Sequence, residues 1–134
     1  MPLISLPITS IFVSLATLFY LVLTARVITV RRSKQVSLGA GDSALLETRM
    51  RQHGNFSEYA PLTFILMGLA ELQGAPAALL WSVGLAFAIS RVTHAYGLGL
   101  MRQPIGLKLR TVGVLTCFAI LITLAITLLS LALF

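Results

Sequence analysis

Acidic residues, cysteine and charge in general are scarce in this chain. Only 10% of its 134 residues are charged, and Asp and Glu together number four, whereas 57% are hydrophobic. A mean hydropathy of +0.95 is too high for a soluble domain, and the length leaves room for no more than one domain, taken here as residues 1–134. The single cysteine, Cys117, sits among apolar neighbours; it excludes a disulfide within the chain, argues against a metal cluster and reads as packing. The net charge of +6 comes without a basic helix or an aromatic-basic stacking platform, so nucleic acid is not the expected partner. The expected class is an all-α integral membrane protein.

What is there is four long helical stretches, the second of them polar in its first half. Leu3 to Ala25 carries no charge and is long enough to cross a bilayer, which takes roughly 20 residues. No Lys or Arg precedes it, so a retained helix is expected rather than a signal peptide. After Arg26, Arg31, Arg32 and Lys34, the small residues of Ser37-Leu-Gly-Ala-Gly-Asp42 make a loop, and Asp42 or Ser43 caps the next helix. That helix contains Pro61, where a bend is expected. Gln73-Gly-Ala-Pro76 turns the chain into a third helix with Trp81 near its start. A second basic loop follows, and Thr111 to Phe134 is again uncharged. The expected helices span about 3–32, 43–73, 76–100 and 108–133. Every basic residue lies in the two loop regions 26–51 and 91–110, so positive-inside asymmetry places these in the cytoplasm and both termini outside. Arg26, Arg31, Arg32, Lys34 and Lys108 read as interfacial anchors.

One stretch resists the anchor reading. In Arg49-Met-Arg-Gln-His-Gly-Asn-Phe-Ser-Glu-Tyr, the residues Arg51, Asn55, Glu58 and Tyr59 stand at i, i+4, i+7 and i+8 of a helix and share one face. Amides and carboxylates inside a spanning helix are costly and mark function. Arg49, Arg51, His53, Asn55, Glu58, Tyr59, Arg91, His94, Tyr96 and Arg110 all fall at the same end of the predicted bundle and are expected to line one pocket facing the cytoplasm. Asn55-Phe-Ser57 also matches a glycosylation sequon, which on that side reads as chance.

The pattern Arg51-x-x-x-Asn55-x-x-Glu58-Tyr59-x-Pro61, after a helix ending in Arg31-Arg32 and before Arg91-x-x-His94, resembles the MAPEG family, the membrane-associated proteins of eicosanoid and glutathione metabolism. The likeness extends over nearly the whole chain. It implies a homotrimer of four-helix subunits in a membrane; the short loops and bare termini look bacterial, which makes the inner membrane the expected location. It further implies a glutathione transferase, with possible peroxidase activity, that uses glutathione as co-substrate against hydrophobic electrophiles or lipid hydroperoxides. By the same resemblance Arg31, Arg51, Asn55, Glu58, Tyr59, Arg91 and His94 fall on glutathione-site positions, and Arg110 in Leu-Arg-Thr-Val-Gly matches the thiol-activating arginine, with Arg102 as competitor. The family's tyrosine four residues beyond His94 is Leu98 here, and Tyr96 is the nearest phenol. Two other classes stay open: a non-enzymatic trimeric scaffold of the same fold, and a small four-helix exporter, which is disfavoured because the first helix has no acid.

Overall fold

The computed structural model describes residues 5–134. It contains four helices, α1 (Pro7–Lys34), α2 (Ala44–Leu72), α3 (Ala77–Gly99) and α4 (Pro104–Leu133), with no strand among the described residues. The start expected for the first helix at residue 3 lies outside the described residues, but Ser5 and Leu6 are not helical and α1 opens on Pro7, whose missing N–H costs nothing at a first helical position. At its other end α1 runs to Lys34, because Gln35 takes a left-handed conformation and the Gln35 and Val36 amides return to Arg32 O and Arg31 O. Ser43 caps α2, its Oγ accepting from the Leu46 amide at 3.2 Å. α4 starts at Pro104, earlier than expected, for the same reason that α1 starts at Pro7.

α1, α3 and α4 are long and apolar enough to cross a membrane. α2 is not among them, because its first half carries Glu47, Arg49, Arg51, His53 and Glu58. Of these, Glu47, Arg51 and Glu58 are exposed and Arg49 and His53 half-buried. α2 and α3 each touch the remaining three helices, whereas α1 and α4 do not touch each other. The cross-section is therefore a diamond with α2 and α3 on the short diagonal. Apolar burial drives little helix association in lipid, so close approach matters more. At Gly113 a Cβ would lie 2.8 Å from His94 Cβ and from Ser90 O, which brings α4 against the polar end of α3. At Gly84 a Cβ would fall within the ring of Phe12, so the missing side chain is the notch that receives α1.

The far end of the bundle is fastened by a residue that the sequence did not single out. Glu71, in the last turn of α2, accepts from the Ile8 amide at 2.9 Å and the Thr9 amide at 2.8 Å. Both are free N–H groups in the first turn of α1, where a carboxylate is favoured by hydrogen bonding and by the helix dipole. Trp81 packs edge-on against Phe12 at 5.4 Å between ring centres.

Candidate functional site

A cleft of about 590 Å3 opens at the loop end between α2, α3 and α4. α2 supplies Glu47, Met50, Arg51, Gly54, Asn55 and Glu58, spaced so that successive turns of one face look into it. α3 adds His94 and Leu98, α4 adds Arg110 and Val114, and Ala40 of the first loop stands at the rim. The volume lies in the range of small-molecule sites, roughly 300–1,000 Å3. Its wall carries both signs of charge, the guanidiniums of Arg51 and Arg110 and the carboxylates of Glu47 and Glu58.

The residues on that wall differ in how far their bonding is complete. His94 is buried, and its Nδ1 lies 3.1 Å from Arg110 O. A carbonyl only accepts, so Nδ1 carries the proton, and a neutral ring leaves Nε2 as an acceptor. Arg110 is held in place by this contact at its backbone, but its side-chain Nε is buried with no partner. A buried donor without an acceptor costs on the order of 1–3 kcal/mol. Gly54 leaves room beside these groups, since a Cβ there would meet nothing within 4 Å.

Several residues expected in the pocket stand elsewhere. Arg91 is 3% exposed and lies behind the cleft. Its Nη1 donates to Asn55 Oδ1 at 2.9 Å, Nη2 to Gly113 O at 2.7 Å and Nε to Ser90 Oγ at 3.2 Å, and its guanidinium faces the rings of Tyr59 at 5.3 Å and Phe87 at 5.8 Å. Tyr59 is thus turned inward to Arg91 and Phe118 rather than into the cleft. Arg31 clasps its own loop, Nη1 donating to Gly39 O at 2.9 Å and Nη2 lying 3.4 Å from Met50 Sδ; this sets Ala40 at the cleft rim without placing the arginine in the lining. His53 packs on Tyr20 at 4.8 Å. Arg49 points to the α1 side, donating to Gln52 Oε1 at 3.1 Å, and Gln52 in turn donates to Ala95 O at 2.6 Å. Tyr96 is 63% exposed on that same side, so it does not stand in for the missing phenol at Leu98, which lines the cleft. Arg102 is exposed in the second loop and does not line the cleft.

Sequence reasoning missed Glu47, Met50 and Gly54. Glu47 stands one turn before Arg51, Met50 directly before it and Gly54 directly before Asn55, all toward the same helical face, and the apolar or small character of Met50 and Gly54 concealed those two. It also missed the structural polar pair Gln52 and Ser90, which periodicity alone does not separate from ligand contacts.

A family model, that of the MAPEG family, matches residues 9–130. The chain belongs to the MAPEG family. The cleft residues of α2, α3 and α4 all lie within that match. Among curated proteins the chain is similar to Inner membrane protein YecN of Escherichia coli K12, 28% identical over 90 residues, which covers 67% of this chain and 69% of the relative. The protein of the same name in Escherichia coli O6:H1 strain CFT073 gives the same identity and coverage. No solved structure matches. Family membership and three helices able to span a bilayer make this MAPEG chain an integral membrane protein.

Proposed function

We propose that this MAPEG protein is a membrane glutathione transferase, with glutathione bound in the cleft between α2, α3 and α4. Glutathione carries two carboxylates, one ammonium and a thiol. The wall offers Arg51 and Arg110 for anionic groups and Glu58 and Glu47 for the ammonium. The observation that carries the reading is Arg110, whose Nε is buried beside this cleft without a partner. A guanidinium next to the sulfur favours the thiolate over the thiol and so raises the nucleophile concentration at neutral pH. The proton leaves to water, the thiolate sulfur bonds to an electrophilic carbon, and the leaving group departs with its electron pair. Arg110 stabilises charge and transfers no proton.

With a hydroperoxide the thiolate attacks the terminal oxygen, the O–O bond breaks, and the alcohol leaves on protonation. A second glutathione then condenses with the sulfenic acid to give the disulfide and water. An apolar acceptor has a route from the lipid, since His94 and Arg110 also border a smaller hollow of about 220 Å3 lined by Leu107, Val114 and Leu115. The remaining parts of the reading come from the family: a homotrimer whose neighbouring copies close the open side of the cleft, in a bacterial inner membrane, with the cleft and the basic loops in the cytoplasm and both termini outside. YecN, named as an inner membrane protein, agrees with that location.

The test is conjugation of glutathione to a generic aryl halide by the purified protein, alongside the ultraviolet thiolate signal on glutathione binding. Arg110→Ala is expected to lose the thiolate signal and roughly 10²–10³ in rate, the usual cost of one charge-stabilising donor. A thiolate signal unchanged in Arg110→Ala rejects the assignment. A wild-type protein that binds glutathione but conjugates nothing leaves a non-enzymatic scaffold.

A further inference from the structure

On the opposite flank of the bundle from the cleft, α1 and α3 leave a groove that changes character along its length. At the loop end it is a hollow of about 330 Å3 lined by Arg26, Arg49, Phe19 and Val92, and Arg26 and Arg49 also line an adjoining hollow of about 390 Å3. Phe19 and Val92 carry on into a third hollow of about 200 Å3, lined by Phe12 and Gly84 among mostly apolar neighbours and by Arg91, whose donors are taken up by Ser90, Asn55 and Gly113 O. No Asp or Glu lines any of the three. Arg26 is exposed and has no side-chain hydrogen bond among the described residues, while Arg49 uses one N–H on Gln52. This differs from the cleft, whose two carboxylates suit a ligand that also carries an ammonium.

We propose that this groove binds one anionic phospholipid of the surrounding bilayer, with its phosphate between Arg26 and Arg49 and an acyl chain laid along Phe19 and Val92 toward Phe12. Two guanidiniums without a nearby acid select a head of net negative charge, and Arg forks suit phosphate oxygens. The apolar continuation distinguishes a lipid from free phosphate. From Arg26 to Phe12 the groove follows α1 for roughly 21 Å at the helical rise, against about 15 Å for half the hydrocarbon thickness. One chain therefore has a track from the interface to beyond the mid-plane, and the notch at Gly84 lets Phe12 sink into α3 as its floor.

Delipidated protein in a maltoside detergent, titrated with phosphatidylglycerol and examined by native mass spectrometry, tests this. One phosphatidylglycerol retained per chain is expected, with phosphatidylcholine at least about tenfold weaker, the loss of one good charge-assisted contact. Arg26→Glu is expected to abolish the preference, and Val92→Trp, at an exposed position, to weaken retention by blocking the apolar track while leaving both arginines in place. Glutathione binding should be unchanged in both variants, so failure here is separable from failure of the transferase reading. Equal retention of the two lipids, full retention in Arg26→Glu, or inorganic phosphate competing as well as the lipid overturns the proposal. Failure to retain any lipid also overturns it and leaves the groove to a second copy of the chain.

Discussion

Arg91 is buried inside the bundle, and its three hydrogen-bond partners, Asn55, Gly113 O and Ser90, are all neutral. Such a group is tolerated because its donors are met and two aromatic faces lie against it. Only the planar guanidinium reaches all three acceptors; an ammonium is a single point on a flexible stem. Arg91→Lys should therefore lower stability by roughly 1.5–3 kcal/mol, the worth of a hydrogen bond to a charged group, read as a lower midpoint of unfolding in mixed micelles. An unchanged midpoint would mean that the network is not structural. Asn55 stands in both worlds, lining the cleft while accepting from Arg91, so Asn55→Ala should weaken glutathione binding and stability together. The sequence brought Arg91 and His94 together as residues three apart. That step turns a helix by 300°, and the missing 60° is enough to send His94 to the cleft wall and Arg91 beneath it. Identity of residue type was legible; which of two adjacent polar groups is satisfied from within was not, because that depends on the carbonyl of Gly113 across the helix pair.

At the scale of the helices, α2 is the element on which the site depends, and it is the least suited of the four to lipid. Its polar first half packs against α1, α3 and α4 through Leu46, Gln52 and Phe56 and leaves Glu47, Arg51 and Glu58 exposed. Ser43 at its start was legible from capping chemistry, and so was the face bearing Arg51, Asn55 and Glu58. The fastening at its other end was not, since Glu71 in the apolar second half of α2 gives no sign in sequence of an α1 N-terminus folding back to it. Glu71→Gln, which keeps the shape and removes the charge, should cost about 0.3–1 kcal/mol, and Glu71→Ala about 0.5–2 kcal/mol. Thermal unfolding in detergent reads the order Glu71→Ala below Glu71→Gln below wild type; equal midpoints would deny the staple. Gly54 offers the complementary experiment. A Cβ there meets nothing within 4 Å and stands beside the cleft residues. Gly54→Leu should keep or raise the unfolding midpoint, since glycine costs about 1 kcal/mol within a helix, while weakening glutathione binding at least about tenfold. Full glutathione affinity in Gly54→Leu would place the ligand elsewhere.

Seen whole, the diamond of helices separates two environments across the α2–α3 diagonal. One flank, toward α4, holds the mixed-charge cleft with Arg110, and the other, toward α1, holds the purely cationic groove. The basic residues that looked interchangeable in sequence divide between them: Arg51 and Arg110 on one side, Arg26 and Arg49 on the other. Hydropathy made the membrane and the helices legible because lipid demands long apolar runs, but it says nothing about which flank a loop arginine takes. The proposed activity requires that the mixed-charge cleft bind an anionic thiol peptide. Calorimetric titration of glutathione into the folded wild-type protein in micelles tests that most directly. A saturable heat that is weakened by Gly54→Leu is the predicted result, and no heat from a folded protein at millimolar glutathione would contradict it.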